Sequence, residues 1–337
     1  MRQIQVHKFL PSASDVHVNR PLTNMTEAYF QDLSNGLAST CFPIVPVTNQ
    51  SNTYFTWDKA DNFRDEAEVR GPGTEVPRSG AKPSTDSYNC LIYQWGDDLP
   101  YEVAGNSDPA LNLESGKTRR VTQTLLRRRE RIFAANFLAT SRWATDITGA
   151  SVTPATNEVL HWTNASSTPI DDILAGQETI LKNTGMKPNT LVLGYQVRRR
   201  LATNAQVLAR ITGGQTPNGP ANITNQHLAE LFEVDRVLVS EGVYNSAVEG
   251  AAASMNFIAG KHALLCYSEP NPSIDTASAG MTFVWTGGGR AFWSDYGVRI
   301  ETMEEPLKRK TNIDGFMNFD QKLTASDLGY FLNSIIP

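Results

Sequence analysis

The nearest approach to a phosphate loop in this chain ends in Gly260-Lys261-His262. Such a loop needs glycines that aim backbone amides at the phosphates, followed by Lys and then Ser or Thr. Here Met255 stands where the first glycine is required and His262 where the hydroxyl is required, so the phosphate reading fails. Gly287-Gly288-Gly289 lacks dinucleotide-binding spacing and falls between two strand-like runs, which makes it a hairpin turn. No Gly-x-Ser-x-Gly elbow occurs. His7, His17, His161, His227 and His262 are scattered, with no pair at helical metal-ligand spacing. Asp97-Asp98 and Asp171-Asp172 are adjacent pairs, better suited to turns and helix starts than to acid–base work. The residues therefore name no catalytic group, no cofactor and no metal site, and an enzyme is not expected.

Association is the chemistry the charged side chains can do. In residues 52 to 102, Asp58, Asp61, Asp65, Glu66, Glu68, Glu75, Asp86, Asp97 and Asp98 outweigh Lys59, Arg64, Arg70, Arg78 and Lys82. Just behind, Lys117, Arg119, Arg120, Arg127, Arg128, Arg129, Arg131 and Arg142 outweigh Glu114 and Glu130. Opposite signs on two projecting elements steer identical subunits into head-to-tail contact and penalise wrong registers. Head-to-tail contacts close into rings. The candidate inter-subunit residues are Tyr54, Trp57, Asp61, Asp65, Glu66 and Glu68 on one element and Arg120, Arg127 and Arg131 on the other. The competing reading is an ordinary solvated charged face, or a basic patch (Arg127 to Arg131, Arg198 to Arg200) that binds nucleic acid.

The elements that must carry these residues follow from spacing. Tyr54, Phe55 and Trp57 open the excursion, Tyr88, Leu91, Ile92, Tyr93 and Trp95 close it, and turn formers lie between, so it reads as a two-stranded arm with no apolar face of its own. It must lean on something else. The helix behind it starts at Asp108-Pro109 or at Ser115 and buries Val121, Leu125, Leu126, Ile132, Phe133, Phe137 and Ala139. Arg120, Arg127 and Arg131 project from the other side, whereas Arg129 points into the apolar stripe.

Before the arm, Thr26 to Leu37 has helical spacing, and Cys41 to Val47, with Pro43 and Pro46, can sit only at a sheet edge or run alongside one. Thr168-Pro169 starts a helix that Gly185 ends, with Ile170, Ile173, Leu174, Ile180 and Leu181 inward. Thr190 to Gly194 and Val234 to Val239 read as strands around short helices, and 212 to 222 as a loop, an α/β alternation over 168 to 267. Met281 to Thr286 and Val298 to Met303 read as strands, followed by a polar connection and an apolar run from Gly329 to Ile336.

A chain of 337 residues has room for about two domains. Its apolar fraction of 40% and charged fraction of 19% are globular values, and a formal charge of -5 gives no overall nucleic-acid signature. No run of 18 apolar residues exists and the N-terminus lacks a signal-peptide core, so the chain reads as cytosolic, with no membrane partner. Cys41, Cys90 and Cys266 are odd in number and widely separated, which points to reduced, space-filling thiols.

The order of parts resembles the Hong Kong 97-type major capsid proteins of tailed bacteriophages. The resemblance rests on Phe42-Pro-Ile-Val-Pro-Val47 before Tyr54-Phe-Thr-Trp57, the acidic hairpin, the long helix after Leu111, the α/β domain, and Asp320-Gln-Lys-Leu-Thr-Ala-Ser-Asp-Leu-Gly-Tyr330. It implies an α+β capsid fold with an N-terminal arm (1–40), an extended β-hairpin loop (52–102) and an α/β axial domain (165–275). The peripheral domain would take 41–51, 103–164 and 276–337, with a spine helix at about 111–142. It further implies self-assembly into pentamers and hexamers of an icosahedral head, virion localisation after assembly in the host cytoplasm, and packaged double-stranded DNA held without sequence specificity. The implied helpers are a separate scaffold protein, since no scaffolding segment is expected before the arm, a portal protein and, optionally, a decoration protein. Lys59 and Lys82 are available for the loop crosslink that some relatives form, with no partner identified. A nanocompartment shell of the encapsulin type shares the architecture.

Overall fold

The computed structural model describes residues 31, 33, 36–57, 59–67, 69, 71–73, 75, 76, 78, 80, 83–107, 112–211, 223–272, 276–287 and 297–337. In chain order its elements begin α1 (Leu37–Thr40), β1 (Ile44–Val47), β2 (Ser51–Trp57), α2 (Lys59–Asn62), β3 (Pro83–Asn89), β4 (Leu91–Pro100), α3 (Tyr101–Asn106) and α4 (Leu113–Phe137). The middle holds β5 (Thr145–Ala150), β6 (Glu158–Leu160), α5 (Pro169–Thr184), β7 (Thr190–Gly194), α6 (Tyr195–Leu201), α7 (Ala205–Ile211), α8 (Asn225–Leu231) and β8 (Arg236–Ser240). The remainder is β9 (Val243–Asn245), β10 (Met255–Phe257), β11 (Ala263–Cys266), β12 (Gly280–Trp285), β13 (Arg299–Glu305), β14 (Lys310–Leu323) and β15 (Gly329–Asn333). Two compact units divide them, one formed by 92–129 and 297–318, the other by the described parts of 35–91, 130–295 and 319–337. No helix among the described residues is long and apolar enough to cross a membrane.

The larger unit is built on a six-stranded mixed sheet of order β6-β5-β15-β11-β7-β8. Its centre is the apolar run Ala263-Leu-Leu-Cys266, antiparallel to β15 on one side (Leu264 opposite Phe331) and to β7 on the other (Leu264 opposite Val192). Every residue of β11 and of β7 is buried, as expected for strands covered on both faces. The sheet is wider than the alternation over 168–267 suggests, because β5, β6 and β15 come from outside that stretch. Helix α5 has the expected ends, Thr168 before Pro169 at its start and a left-handed Gly185 (φ 69°) at its finish. Its inward face differs from expectation. Gly176 lies so close to the Tyr330 ring that a Cβ there would be 2.8 Å from it, which rotates Gln177 inward and leaves Leu174 and Leu181 exposed.

Two polar anchors tie the start of this unit to its sheet and to helix α4. The Arg236 guanidinium donates from Nε to Thr190 Oγ1 (2.9 Å), from Nη1 to the Thr40 carbonyl (2.9 Å) and from Nη2 to the Cys41 carbonyl (2.8 Å) and Ser268 Oγ (3.1 Å). Glu130, 3% exposed, accepts from the Ala38 N–H at 3.0 Å, and only a glycine at 36 leaves space for its carboxylate. From here β1 runs parallel to β12 as an edge strand, Ile44 opposite Thr282, the position its prolines require. On its far side β12 pairs with the end of β14, Phe283 opposite Asp320. All three cysteines are free and buried.

In the smaller unit β13 pairs antiparallel with β14 from Arg299–Phe316 to Glu305–Lys310, and β4 also pairs with β14. Strand β14 replaces the polar connection expected before Gly329. Its buried positions Ile313, Gly315, Met317, Phe319 and Gln321 fall on one face, and Asn318 is buried on the other. The first part of α4 crosses that face at Gly315, where a side chain would meet Val121 and Leu125 at 2.5 and 2.7 Å. Neither expected cap starts α4: Asp108-Pro109 lies outside the described residues, and Ser115 is already helical, donating its N–H to Asn112 Oδ1 at 3.2 Å. The helix stops at Phe137, short of the expected 142, because the Trp143 indole N–H takes the Phe137 carbonyl at 2.7 Å. Most of the helical stretch expected over Thr26–Leu37 lies outside the described residues.

A planar fork donating to four acceptors is not reproduced by an ammonium. Arg236→Lys is therefore expected to lower stability by about 2 kcal/mol, and Arg236→Ala by about 3 kcal/mol, read from denaturant midpoints. Asp172 allows a signed pH test. Burial raises its carboxyl to about 6, opposed by the Trp162 indole N–H (2.8 Å) and reinforced by Asp171. Because the folded value lies above the unfolded one, the cost of ionising it is absent below about pH 4 and complete above about pH 6. Asp172→Asn keeps an acceptor for Trp162. It should gain about 1 kcal/mol at pH 7.5, after allowing for partial exposure and the helix N-terminus, and nothing at pH 3.5. Equal gains at both pH values would contradict the assignment.

Candidate assembly interface

The arm expected from the sequence is present as a two-stranded ladder, β2 against β3, from Ser51–Asn89 to Trp57–Pro83. It is shorter than residues 52–102, because Leu91–Pro100 leaves it to pair with β14. Its base leans on its own subunit. Phe283 of β12 receives Tyr88, stacked at 4.7 Å between ring centroids, and Tyr54, tilted at 5.4 Å. Asp320 accepts the Asn89 N–H at 2.9 Å, and Lys322 donates to the Ser87 carbonyl (2.9 Å) and to Asp86 (3.3 Å). Tyr54 donates its hydroxyl to Asp86 directly across the ladder at 2.9 Å. Burial, reinforced by Asp86, pushes the Tyr54 phenol well above its ordinary range. Partial burial works to raise the Asp86 carboxyl, but donation from Ser87, Tyr54 and Lys322 prevails and holds it below its usual value.

Away from this base the arm shows exposed apolar side chains, Phe55 at 64% and Val76 at 51%. Asp65 and Glu66 are exposed, Glu66 lying 3.5 Å from Arg64. Trp57 ends β2 and Asp61 lies in α2; Glu68 falls outside the described residues.

The basic helix has its own internal partners. Odd-numbered residues of β4 run antiparallel along α4: Tyr93 lies under Arg128 (5.9 Å to the ring centroid), Trp95 under Arg120 (5.5 Å), and Asp97 meets Lys117 (2.8 Å) and Arg120 (3.5 Å). Asp98 pairs with Lys310 at 3.0 Å. Asp97 and Asp98, read from the sequence as acids of the arm, therefore neutralise cations of their own unit. The reason is that β4 belongs to the β14 sheet and brings them with it. Arg120 is thus already engaged within the subunit, and Arg131, in the larger unit, lies 4.5 Å over the Tyr244 ring. Arg127 is half-buried. Arg129 does enter the apolar stripe, at 2% exposure, donating to the Leu33 carbonyl at 3.4 Å. Stacking covers a guanidinium's face and leaves its N–H edge open to an acceptor.

Phe283, Asp320 and Lys322 were not singled out by sequence reasoning, because the pairing of β12 with β14 that places them together is long-range. Among the described residues no group of three or more His, Cys, Asp or Glu could hold a metal ion.

No family model matches the chain. A curated relative, the major capsid protein of Burkholderia phage BcepMu, is 26% identical over 227 residues, covering 67% of this chain and 70% of its own. The crystal structure of a phage-related protein from Bordetella bronchiseptica superimposes with a TM-score of 0.65 at 20% identity, over 94% of this chain and 97% of that one. The mature capsid subunit of bacteriophage PhiM1 gives 0.53 at 12% identity (98% and 96%). The SrpI encapsulin of Synechococcus elongatus gives 0.53 at 11% identity (94% and 95%). The structural likenesses show the fold, the α+β Hong Kong 97-type capsid fold, and the curated relative shows that the chain is similar in sequence to a phage major capsid protein.

Proposed function

We propose that this chain is a shell subunit that assembles with copies of itself, as pentamers and hexamers, into an icosahedral phage head around double-stranded DNA. The observation that carries the reading is the arm: a two-stranded ladder with exposed Phe55, and exposed Val76 between its strands, on a capsid fold matched over nearly the whole chain. Exposed apolar groups on a two-stranded ribbon mark a surface that another chain covers. On this reading 41–51, 103–164 and 276–337 form the peripheral domain with α4 as spine, 165–275 the axial domain, and β2–β3 the extended loop.

The subunit acts structurally rather than catalytically. Trp57, Asp61, Asp65, Glu66 and Glu68 on the arm meet Arg127 and Arg131 of neighbours, together with the N–H edge of Arg120. Tyr54 contributes by fixing the arm's base. A scaffold protein, a portal protein and an optional decoration protein are the further partners, and DNA is held by charge without sequence readout. Each contact can be modest, on the order of 1,000 Å², because a shell subunit touches several neighbours and their effects combine.

The encapsulin likeness supports a second reading, a shell that encloses protein cargo. The chain expressed alone or with its scaffold should give closed shells of uniform diameter by negative-stain microscopy. Particles from infected cells should absorb at 260 nm as nucleoprotein; a protein-only spectrum favours the second reading. Removing residues 60–85 should abolish shells, leaving subunits or small rings by analytical ultracentrifugation. A monodisperse monomer at high concentration, or intact shells after that deletion, would overturn the proposal.

A further inference from the structure

The far end of the arm makes two contacts that the assembly reading does not use. The ladder of β2 and β3 stops at Trp57 and Pro83, and α2 follows at once. Lys59, its first residue, forms an ion pair with Asp327 in the one-turn 3-10 helix Ser326–Leu328. Phe63, just past α2, places its ring edge 3.2 Å from where a side chain on Gly185 would begin. Gly185 closes α5 in the left-handed conformation, so the ring sits on bare backbone that any other residue would both strain and fill. Both seats belong to the larger unit of the arm's own subunit.

These contacts are shallow. Phe63 stays 66% exposed, and the ion-pair side chains are 49% and 32% exposed. They hold the tip in the open, where water and a competing neighbour can reach it. An arm docked on its own body cannot at the same time lie across the next subunit.

We infer that the docked tip is an assembly latch: in the free subunit, Lys59–Asp327 and Phe63–Gly185 hold the arm on its own body, and joining the shell requires their release. The inference rests on the shell reading proposed above. It makes the free subunit slower to associate than the exposed arm would otherwise allow, and it makes the latch a point at which a scaffold or ionic strength can set the rate.

A carbodiimide tests the contact directly. It activates the Asp327 carboxyl, Lys59 Nζ attacks, an amide forms and the reagent leaves as its urea. Subunits grown in ordinary and in nitrogen-15 medium are mixed and treated either unassembled, at low concentration, or as shells. The expected result is a 59–327 crosslinked peptide of uniform isotope in free subunits, reduced at least fivefold in shells. Lys59→Glu and Asp327→Lys should each shorten the lag of assembly severalfold by light scattering, and the charge-swapped double variant should restore the wild-type lag. Absence of the intrachain crosslink in free subunits, its persistence in shells, or single variants that assemble no faster would overturn the latch. A wild-type chain that forms no particle under any condition sinks the shell reading, and the latch with it, whatever the crosslink shows. Shells without a 59–327 crosslink in free subunits sink the latch alone.

Discussion

A two-stranded ribbon cannot bury both of its faces, and an isolated one is marginal in water. The arrangement of this subunit depends on where the ribbon finds cover. At its base the cover is Phe283, a single ring that receives Tyr54 from β2 and Tyr88 from β3 and so clamps both strands at once. Phe283 can do this because β12 is itself held, parallel to β1 on one side and antiparallel to the end of β14 on the other. The charges then follow the rings. Asp320 and Lys322 lie opposite Phe283 and Met281 on that last part of β14, and both reach the backbone of β3. The arm leaves the body in one direction because its root has rings and charges that fit together in one register.

The fold also redistributes the charges. Summed along the chain, an acidic arm and a basic helix look like complementary faces of two subunits. In the fold, part of each charge is used at home: Asp97 and Asp98 on Lys117 and Lys310, Asp86 on Lys322, Arg120 on Trp95 and Asp97. Pairs such as Lys117–Asp97 are little exposed and fix β4 against α4, whereas the arm carboxylates Asp65 and Glu66 are open. In the proposed shell, steering between subunits is therefore left to fewer groups than the sequence count suggests. These groups are exposed, so their contribution falls with salt.

How much of this was legible in the sequence depends on the range of the determining contact. Local signals read correctly: Thr168-Pro169 and Gly185 bound α5, the prolines put Ile44–Val47 at an edge, and helical spacing put Arg129 inside. The hairpin was legible too, since aromatics flanking turn formers form a ladder wherever it is docked. What failed was long-range. Strand β14 looked polar because Asn312, Asp314, Asn318 and Asp320 obscure the alternation of Ile313, Met317 and Phe319. Leu174 and Leu181 looked buried because leucine at helical spacing usually is; the close approach of α5 to Tyr330 at Gly176 turned the helix instead. The partners of Asp97 could not be read without knowing that β4 leaves the arm for the β14 sheet.

The arm's two kinds of contact with its own body differ in strength, and the difference separates what is permanent from what can move. At the base, Tyr88 is 7% exposed and the ring stack, hydrogen bonds and Lys322 bridge act together. At the tip, an exposed ion pair contributes about 0–1 kcal/mol and partial cover of one phenylalanine about 1 kcal/mol, before the cost of ordering the chain between. After that cost a bias of about 1 kcal/mol remains, which populates the docked tip roughly fivefold over the free one, and one ordinary inter-subunit contact can reverse it. The base cannot be reversed so cheaply. In the proposed shell, a subunit built this way keeps the root of its arm fixed while the tip exchanges partners, and the fixed part ends where the ladder does, at Trp57 and Pro83.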